Sequence, residues 1–250
     1  MSFKSIVYSS LIVGIISGAV YGLFQQLAVN PIIYAAEVFE VSAQPGTPTE
    51  STDNHSHGSG NSHEAVGHEI WGPENRLQRM ASTFSSNILI SMAFSMIMIA
   101  AMATHNQKST KRPVDWKSGI FWGLSALLAV YVSPTLLGIH PEIPGTIGGL
   151  LKDHQIWWIT CCASTLLGLA FLYYATNWLK LGGFALLVAP HIIGAPGPSS
   201  PRYANTDPAA IAALDQLTGE FLIMTSIGML IFFILIGALS GLASARIHHA

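Results

Sequence analysis

Apolar positions dominate five long stretches of the chain: Ile6–Val29, Thr83–Ala103, Ser118–Gly138, Gln155–Thr176 and Gly219–Ala243. A hydrocarbon core about 30 Å thick needs roughly 20 residues of helix, and each stretch meets that length. A sixth apolar run, Leu181–Ile193, is shorter and ends in Pro190 and His191. It is expected to be a short span, a tilted half-helix or a re-entrant segment. The pattern predicts an all-α, polytopic transmembrane helix bundle of five to six spans, forming a single transmembrane domain over residues 1–250. The first run follows Lys4, as a secretory signal would, and Ala35-Ala36-Glu37 has the look of a cleavage site. Signal h-regions reach only about 7–15 residues, so a retained first helix is expected.

Composition agrees with lipid as the solvent. Half of the 250 residues are apolar and 10% are charged, against about 25% charged in soluble domains. Basic runs that would suit nucleic acid are missing from the sequence, so a nucleic-acid partner is not expected. The charges are segregated. Lys4, Lys108, Lys111, Arg112, Lys117, Lys180 and Arg246 fall on one side of a six-span arrangement, and Arg76, Arg79, Lys152 and Arg202 on the other. The positive-inside bias makes the first side cytoplasmic, with both termini there. A five-span arrangement leaves the basic count unchanged, so charge decides between the two only weakly.

Glycines recur at spacings of four. Gly14, Gly18 and Gly22, then Gly119 with Gly123, then Gly237 with Gly241, form small-xxx-small ridges. Such ridges let helix backbones approach closely. Bundling within one chain is the simpler use, and a homo-oligomeric interface the other. Cys161 and Cys162 are adjacent in an apolar run and lack CxxC spacing, so they read as small helix residues.

Candidate chemistry concentrates on the side opposite the basic cluster. Residues 42–64 are rich in Ser, Thr, Gly, Pro and Asn, a composition that cannot bury a core. A flexible, histidine-rich outer loop over residues 42–68 is expected. It carries His55, His57, His63 and His68, with Glu64 and Glu69 beside two of them. Imidazole with carboxylate is a ligand set for first-row divalent metals. Ordering such a loop around an ion costs about 1–2 kcal/mol per backbone residue, so weak capture is expected rather than a rigid site. His63-Glu64-Ala65-Val66-Gly67-His68 is one residue too long for the zinc-protease HExxH motif, whose histidines share a helix face four positions apart.

At membrane depth, His191 stands between Pro190 and Gly194-Ala195-Pro196. Proline and glycine there free backbone carbonyls, and an ionisable group beside them is a functional-site candidate. Glu37 and Glu40 follow the first apolar run, and Gln25 and Gln26 lie in its last turns. His140, Glu142 and His154 flank a proline-rich outer loop. These residues share one side and could together form a mouth for a divalent cation. His105, His248 and His249 fall on the basic side and read as solvated loop and tail residues. Phosphate loops, dinucleotide fingerprints and nucleophile elbows are missing from the sequence, so an enzyme is not expected. No cofactor is required; any driven transport would draw on an ion gradient or another subunit.

Several motifs, taken in order, resemble the CbtA family, predicted subunits of a cobalt transporter. They begin with the glycine-rich helix of Gly14 to Glu40, with its Gln25-Gln26 pair and acidic exit. His68-Glu69-Ile70-Trp71-Gly72-Pro73-Glu74 follows, with Arg76 shortly after. Val114-Asp115-Trp116-Lys117-Ser118-Gly119 leads into the third span, and His140-Pro141-Glu142-Ile143-Pro144-Gly145 lies behind it. Gln155-Ile156-Trp157-Trp158 opens the fourth, and Pro190-His191-Ile192-Ile193-Gly194-Ala195-Pro196 completes the set. The resemblance implies a multi-pass protein of the bacterial cell (inner) membrane, a role in cobalt uptake, and a small single-helix partner subunit bearing its own histidines. It also implies five spans. The cargo Co²⁺ comes from the resemblance alone, because nitrogen and oxygen sites favour Ni²⁺ and Cu²⁺.

Two functions are therefore carried forward. One is a subunit of a divalent-metal uptake transporter, in which outer-loop histidines hand the ion to a site around His191, Glu37, Glu40, His140, Glu142 and His154. The other is a non-transporting membrane accessory protein for metal delivery or sensing.

Overall fold

The structure is a computed structural model that describes residues 3–42, 75–108, 113–197 and 200–249. Their helices are α1 (Phe3–Phe24), α2 (Asn30–Ser42), α3 (Arg76–Lys108), α4 (Trp116–Leu127), α5 (Leu151–Tyr174), α6 (Leu179–Ile193) and α7 (Pro208–His249). Two π-helical segments join or extend them. Gln25–Val29 runs α1 into α2 without a break, and Leu128–Leu136 continues α4. Six rods result, five of them long and apolar enough to cross a membrane. The sixth, α6, has 15 residues and rises about 22 Å, less than a hydrocarbon core. The expected multi-span helical bundle is thus observed.

Both π-helical segments have proline as their physical cause. Pro31 cannot donate to the carbonyl four residues back, and the Asn30 N–H before it reaches Gln25 O, five residues back. Pro134 lies inside the second segment, where Leu137 N–H reaches Val132 O at 3.0 Å. α4 itself starts on a capping box. The Asp115 carboxylate accepts from Ser118 N–H, and Ser118 Oγ accepts from Asp115 N–H. The Ser118 hydroxyl, which also donates to the Asp115 carboxylate, and then the Ser118 N–H hold the Asp115 carboxyl below its ordinary pKa.

Glycine decides how the rods pack. On α1, a Cβ at Gly14 would meet Met92, one at Gly18 would lie 2.5 Å from Ile88 Cα, and one at Gly22 would meet Phe84. The falling partner numbers make α1 and α3 antiparallel. On α4, a Cβ at Gly119 would lie 2.4 Å from Gly237 O and one at Gly123 2.1 Å from Phe233 O. α4 and α7 are thus also antiparallel and in backbone contact. All three ridges read from the sequence pack within the chain. A fourth pair, Gly168 and Gly183, joins α5 to α6.

Helix α7 touches α1, α2, α3 and α4, and Phe232, Phe233 and Ile236 on it are the centre of the main core with Ile99, Met102 and Tyr131. The α5–α6 hairpin attaches to the second π-helical segment. A smaller core closes one end, where Ala36, Ile143, Tyr203 and Leu214 meet. There Ile147 N–H bonds Arg202 O at 2.8 Å and Ala204 N–H bonds Gly145 O at 3.0 Å. Asn205 Nδ2 also donates to Phe39 O. The end of α2, the α4–α5 connection and the start of α7 therefore share one end of the bundle. At the other end, Asn106 ties α3 to Ser244 of α7 and to the Val114 N–H that leads into α4.

Candidate functional site

Proline leaves carbonyls without a helical partner, and α5 supplies donors to them. Pro134 cannot donate to Val130 O four residues back, and that oxygen accepts from Trp158 Nε1 at 3.2 Å. Pro134 O accepts from Trp157 Nε1 at 3.0 Å. Pro190 frees Leu186 O in α6, which accepts from Ser164 Oγ. A broken helix survives in lipid only when neighbouring side chains satisfy the freed groups in this way. One face of α5 thus supplies donors to the proline-containing stretches on either side of it.

His191 sits where these stretches meet. Its Nε2 is 3.2 Å from Ser133 Oγ, which lies just before Pro134 in the π-helical segment. Thr165 of α5 donates to the same Ser133 oxygen at 2.9 Å. Ser133 and Thr165 are buried, and so is Cys161 on the same helix as Thr165. The Trp157 ring lies edge-on to the imidazole, with centroids 6.0 Å apart. The other ring nitrogen, Nδ1, is buried and without a hydrogen-bond partner. Leaving a buried polar group unpaired costs about 1–3 kcal/mol. Ser133 has two lone pairs and can accept from Thr165 and from His191 Nε2–H together, which leaves Nδ1 with a bare lone pair. An imidazole oriented through one nitrogen with the other free is arranged as metal-ligating histidines are.

The same level of the bundle is polar across the other helices. Tyr131, two residues before Ser133, bonds Ser226 of α7 at 2.9 Å. Close to Ser226 along α7, Gly228 abuts Tyr21 and Phe24 of α1, and Tyr21 OH donates to Met229 Sδ at 3.4 Å. Gln25, in the first π-helical segment, accepts from Asn87 of α3. Gln26 Nε2 and Thr225 Oγ1 are buried there without partners. A belt of hydroxyls, amides and one imidazole therefore crosses all six rods, with both π-helical segments in it.

The candidates above this belt share the end built by the smaller core, but they do not converge on one point. Glu37 makes a bidentate ion pair with Arg79 of α3, at 2.5 and 3.3 Å, and Arg79 also covers the Tyr34 ring. Its carboxylate is committed to holding α2 against α3. Glu40 and His140 are exposed. Glu142 and His154 each lie against the Gly148-Gly149 stretch. The Glu142 carboxylate is 3.0 Å from an ideal Cβ at Gly148, and His154 Nε2 2.6 Å from one at Gly149. No group of three or more His, Cys, Asp or Glu that could hold a metal occurs among the described residues. His55, His57, His63 and His68 lie outside the described residues.

The sequence singles out His191 but not its neighbours Ser133 and Thr165, nor Ser164, residue types that are common in any membrane helix. Prolines 134 and 190 were the available signal, since each names the carbonyl four residues earlier that needs a new donor. His105 was read as solvated; it is half-buried, bonded to Tyr174 at 3.1 Å and flanked by Trp122 and Tyr173. The aromatic rings come from α4 and α5, which only tertiary packing brings to α3.

A family model described as "Probable cobalt transporter subunit (CbtA)" matches residues 3–245, nearly the whole chain. No curated protein and no solved structure matches.

Proposed function

The chain belongs to the CbtA family of cobalt transporter subunits, and from that premise we propose that it passes a divalent ion, Co²⁺ as cargo, through the polar belt at His191. The observation that carries this reading is the buried, unpartnered Nδ1 of His191 between two proline-containing helices. Irregular backbone at membrane depth is a feature of transporter binding sites. A hydrated divalent ion needs lone pairs to replace its waters, and the belt offers imidazole, hydroxyl and amide groups.

In this mechanism the histidines at 55, 57, 63 and 68 gather the ion outside. Glu40, His140, Glu142 and His154 raise its local concentration at the mouth, since oxygen and nitrogen donors on one face attract cations. Glu37 stays paired with Arg79 and keeps the α2–α3 wall upright. His191 then takes the ion on Nδ1 while Ser133 holds Nε2–H. One imidazole among neutral oxygens binds weakly enough to release, which passage requires. With the basic ends of α3, α4 and α6 taken as the cytoplasmic side, both termini are cytoplasmic; the bacterial inner membrane is what the family implies. A small single-helix subunit with its own histidines would complete the ligand set that this chain lacks among its described residues.

The same shortage of ligands favours a second reading, in which the chain only delivers or senses metal for a separate permease. Radiolabelled Co²⁺ uptake into cells separates the two. For transport, His191→Ala lowers uptake at least about ten-fold at every metal concentration, the loss of one buried charge-type hydrogen-bonded ligand. Deleting residues 50–68 then lowers uptake only when metal is limiting. An accessory protein gives the reverse ranking, with His191→Ala harmless and the deletion damaging.

A further inference from the structure

A pocket of about 680 Å³ opens at the end of the bundle opposite the mouth, lined by Thr104, His105 and Lys108 of α3, Trp122 of α4, and Tyr173 and Tyr174 of α5. We propose that this pocket binds the phosphate headgroup of an anionic phospholipid from the surrounding leaflet. The site plays no part in the passage proposed for the ion.

Position argues first. Trp116 and Trp178 are exposed at this end of the bundle, and the ammonium of Lys117 lies over the Trp116 ring at 5.5 Å. Exposed tryptophan and tyrosine at helix ends mark the headgroup level of a bilayer. A pocket there faces lipid headgroups, not bulk water alone. Charge argues next. The described residues of this end carry Lys4, Lys108, Lys117, Lys180 and Arg246 against one acid, Asp115, whose carboxylate is engaged by Ser118. Basic pockets between membrane helices suit anionic headgroups.

Chemistry completes the case. The His105 ring is fixed by three aromatic neighbours, with centroids 5.8 Å from Trp122, 5.9 Å from Tyr173 and 6.3 Å from Tyr174. Its Nδ1 is 3.1 Å from Tyr174 OH, so Nε2 is left for a ligand. Lys108 makes no ion pair among the described residues. Imidazole N–H, ammonium and tyrosine hydroxyl are donors for phosphate oxygens, and the aromatic faces cover the glycerol and upper acyl chain. The bland explanation is that His105 and Lys108 merely offset the negative end of the α3 dipole. It predicts a stability effect without lipid selectivity.

The test uses the full chain in nanodiscs of equimolar phosphatidylglycerol and phosphatidylcholine, with retained lipid counted by native mass spectrometry. The wild-type protein is expected to retain phosphatidylglycerol in excess. Lys108→Gln should lower that excess about five-fold, the weight of one basic group near an anionic leaflet. Lys108→Arg should restore most of it, and Arg246→Gln, at the same end but outside the pocket, should leave it unchanged. Equal retention of both lipids by the wild type would overturn the proposal. So would an Arg246→Gln loss as large as that of Lys108→Gln. Displacement of the retained lipid by millimolar inorganic phosphate would also overturn it, by assigning the pocket to free anions. None of these readouts depends on cobalt transport, so the two proposals fail separately.

Discussion

At the scale of single residues, the most consequential atoms are carbonyl oxygens that proline released. Pro134 and Pro190 cannot donate to Val130 O and Leu186 O four residues back, and Trp158 and Ser164 donate to them instead. Substituting Trp158→Phe or Ser164→Ala removes the donor and leaves the carbonyl buried. Side-chain hydrogen bonds between membrane helices average about 0.6 kcal/mol and reach about 1.7. Each variant should lose stability in that range, read as a lower thermal midpoint of the purified protein in detergent. Ser164→Thr keeps a hydroxyl and should recover much of the loss. Equal stability of wild type and Ser164→Ala would mean that the Leu186 carbonyl finds another partner, and the account of the α5 face would fall with it.

At the scale of elements, glycine sets the distance between rods. Gly123 on α4 has no room for a methyl, because its ideal Cβ would lie 2.1 Å from Phe233 O of α7, and backbone cannot be pushed aside cheaply. Gly123→Ala is expected to cost about 1–3 kcal/mol, as overpacking does. Gly182, on α6, has nothing within 4 Å of its Cβ position and a helical backbone. Gly182→Ala should stay within about 0.5 kcal/mol of wild type, as substitutions away from packed features do. Parallel unfolding curves of the two variants check the contrast. Comparable losses in both would show that the close approach of α4 and α7 is not what holds these rods together.

At the scale of the whole molecule, the arrangement of ends decides the number of crossings. The α4–α5 connection and the start of α7 are joined by backbone hydrogen bonds at Ile147–Arg202 and Ala204–Gly145. α6 begins at the opposite end, beside the last turn of α5, so the chain from Leu179 to Tyr203 must cover the full height of the bundle. α6 supplies about 22 Å of it and the residues after Gly194 supply the rest. Single cysteines introduced at Thr146 and Ser200 should therefore be labelled from the same side of the membrane, and one at Lys180 from the other. The native Cys161 and Cys162 are buried, and replacing both gives the cysteine-free background for this labelling. Labelling of positions 146 and 200 from opposite sides would refute this topology.

Hydrophobic run length alone was enough to predict five crossing helices, and the short sixth, because lipid requires a fixed minimum of apolar helix whatever the chain packs against. Glycine spacing likewise announced the helix contacts, since only small residues allow backbones to touch. His191 was legible for a similar reason: an ionisable side chain among prolines in an apolar run stands out against its background. The partner of each feature was another matter. That Glu37 belongs to Arg79, that Ser133 and Thr165 orient His191, and that Trp122, Tyr173 and Tyr174 enclose His105 are facts about side chains distant in sequence, 42 positions for Glu37 and Arg79, 58 for Ser133 and His191 and 69 for His105 and Tyr174. Serine, threonine and tyrosine carry no periodic signal in a membrane helix. Their roles were settled only when packing chose which helix faces meet.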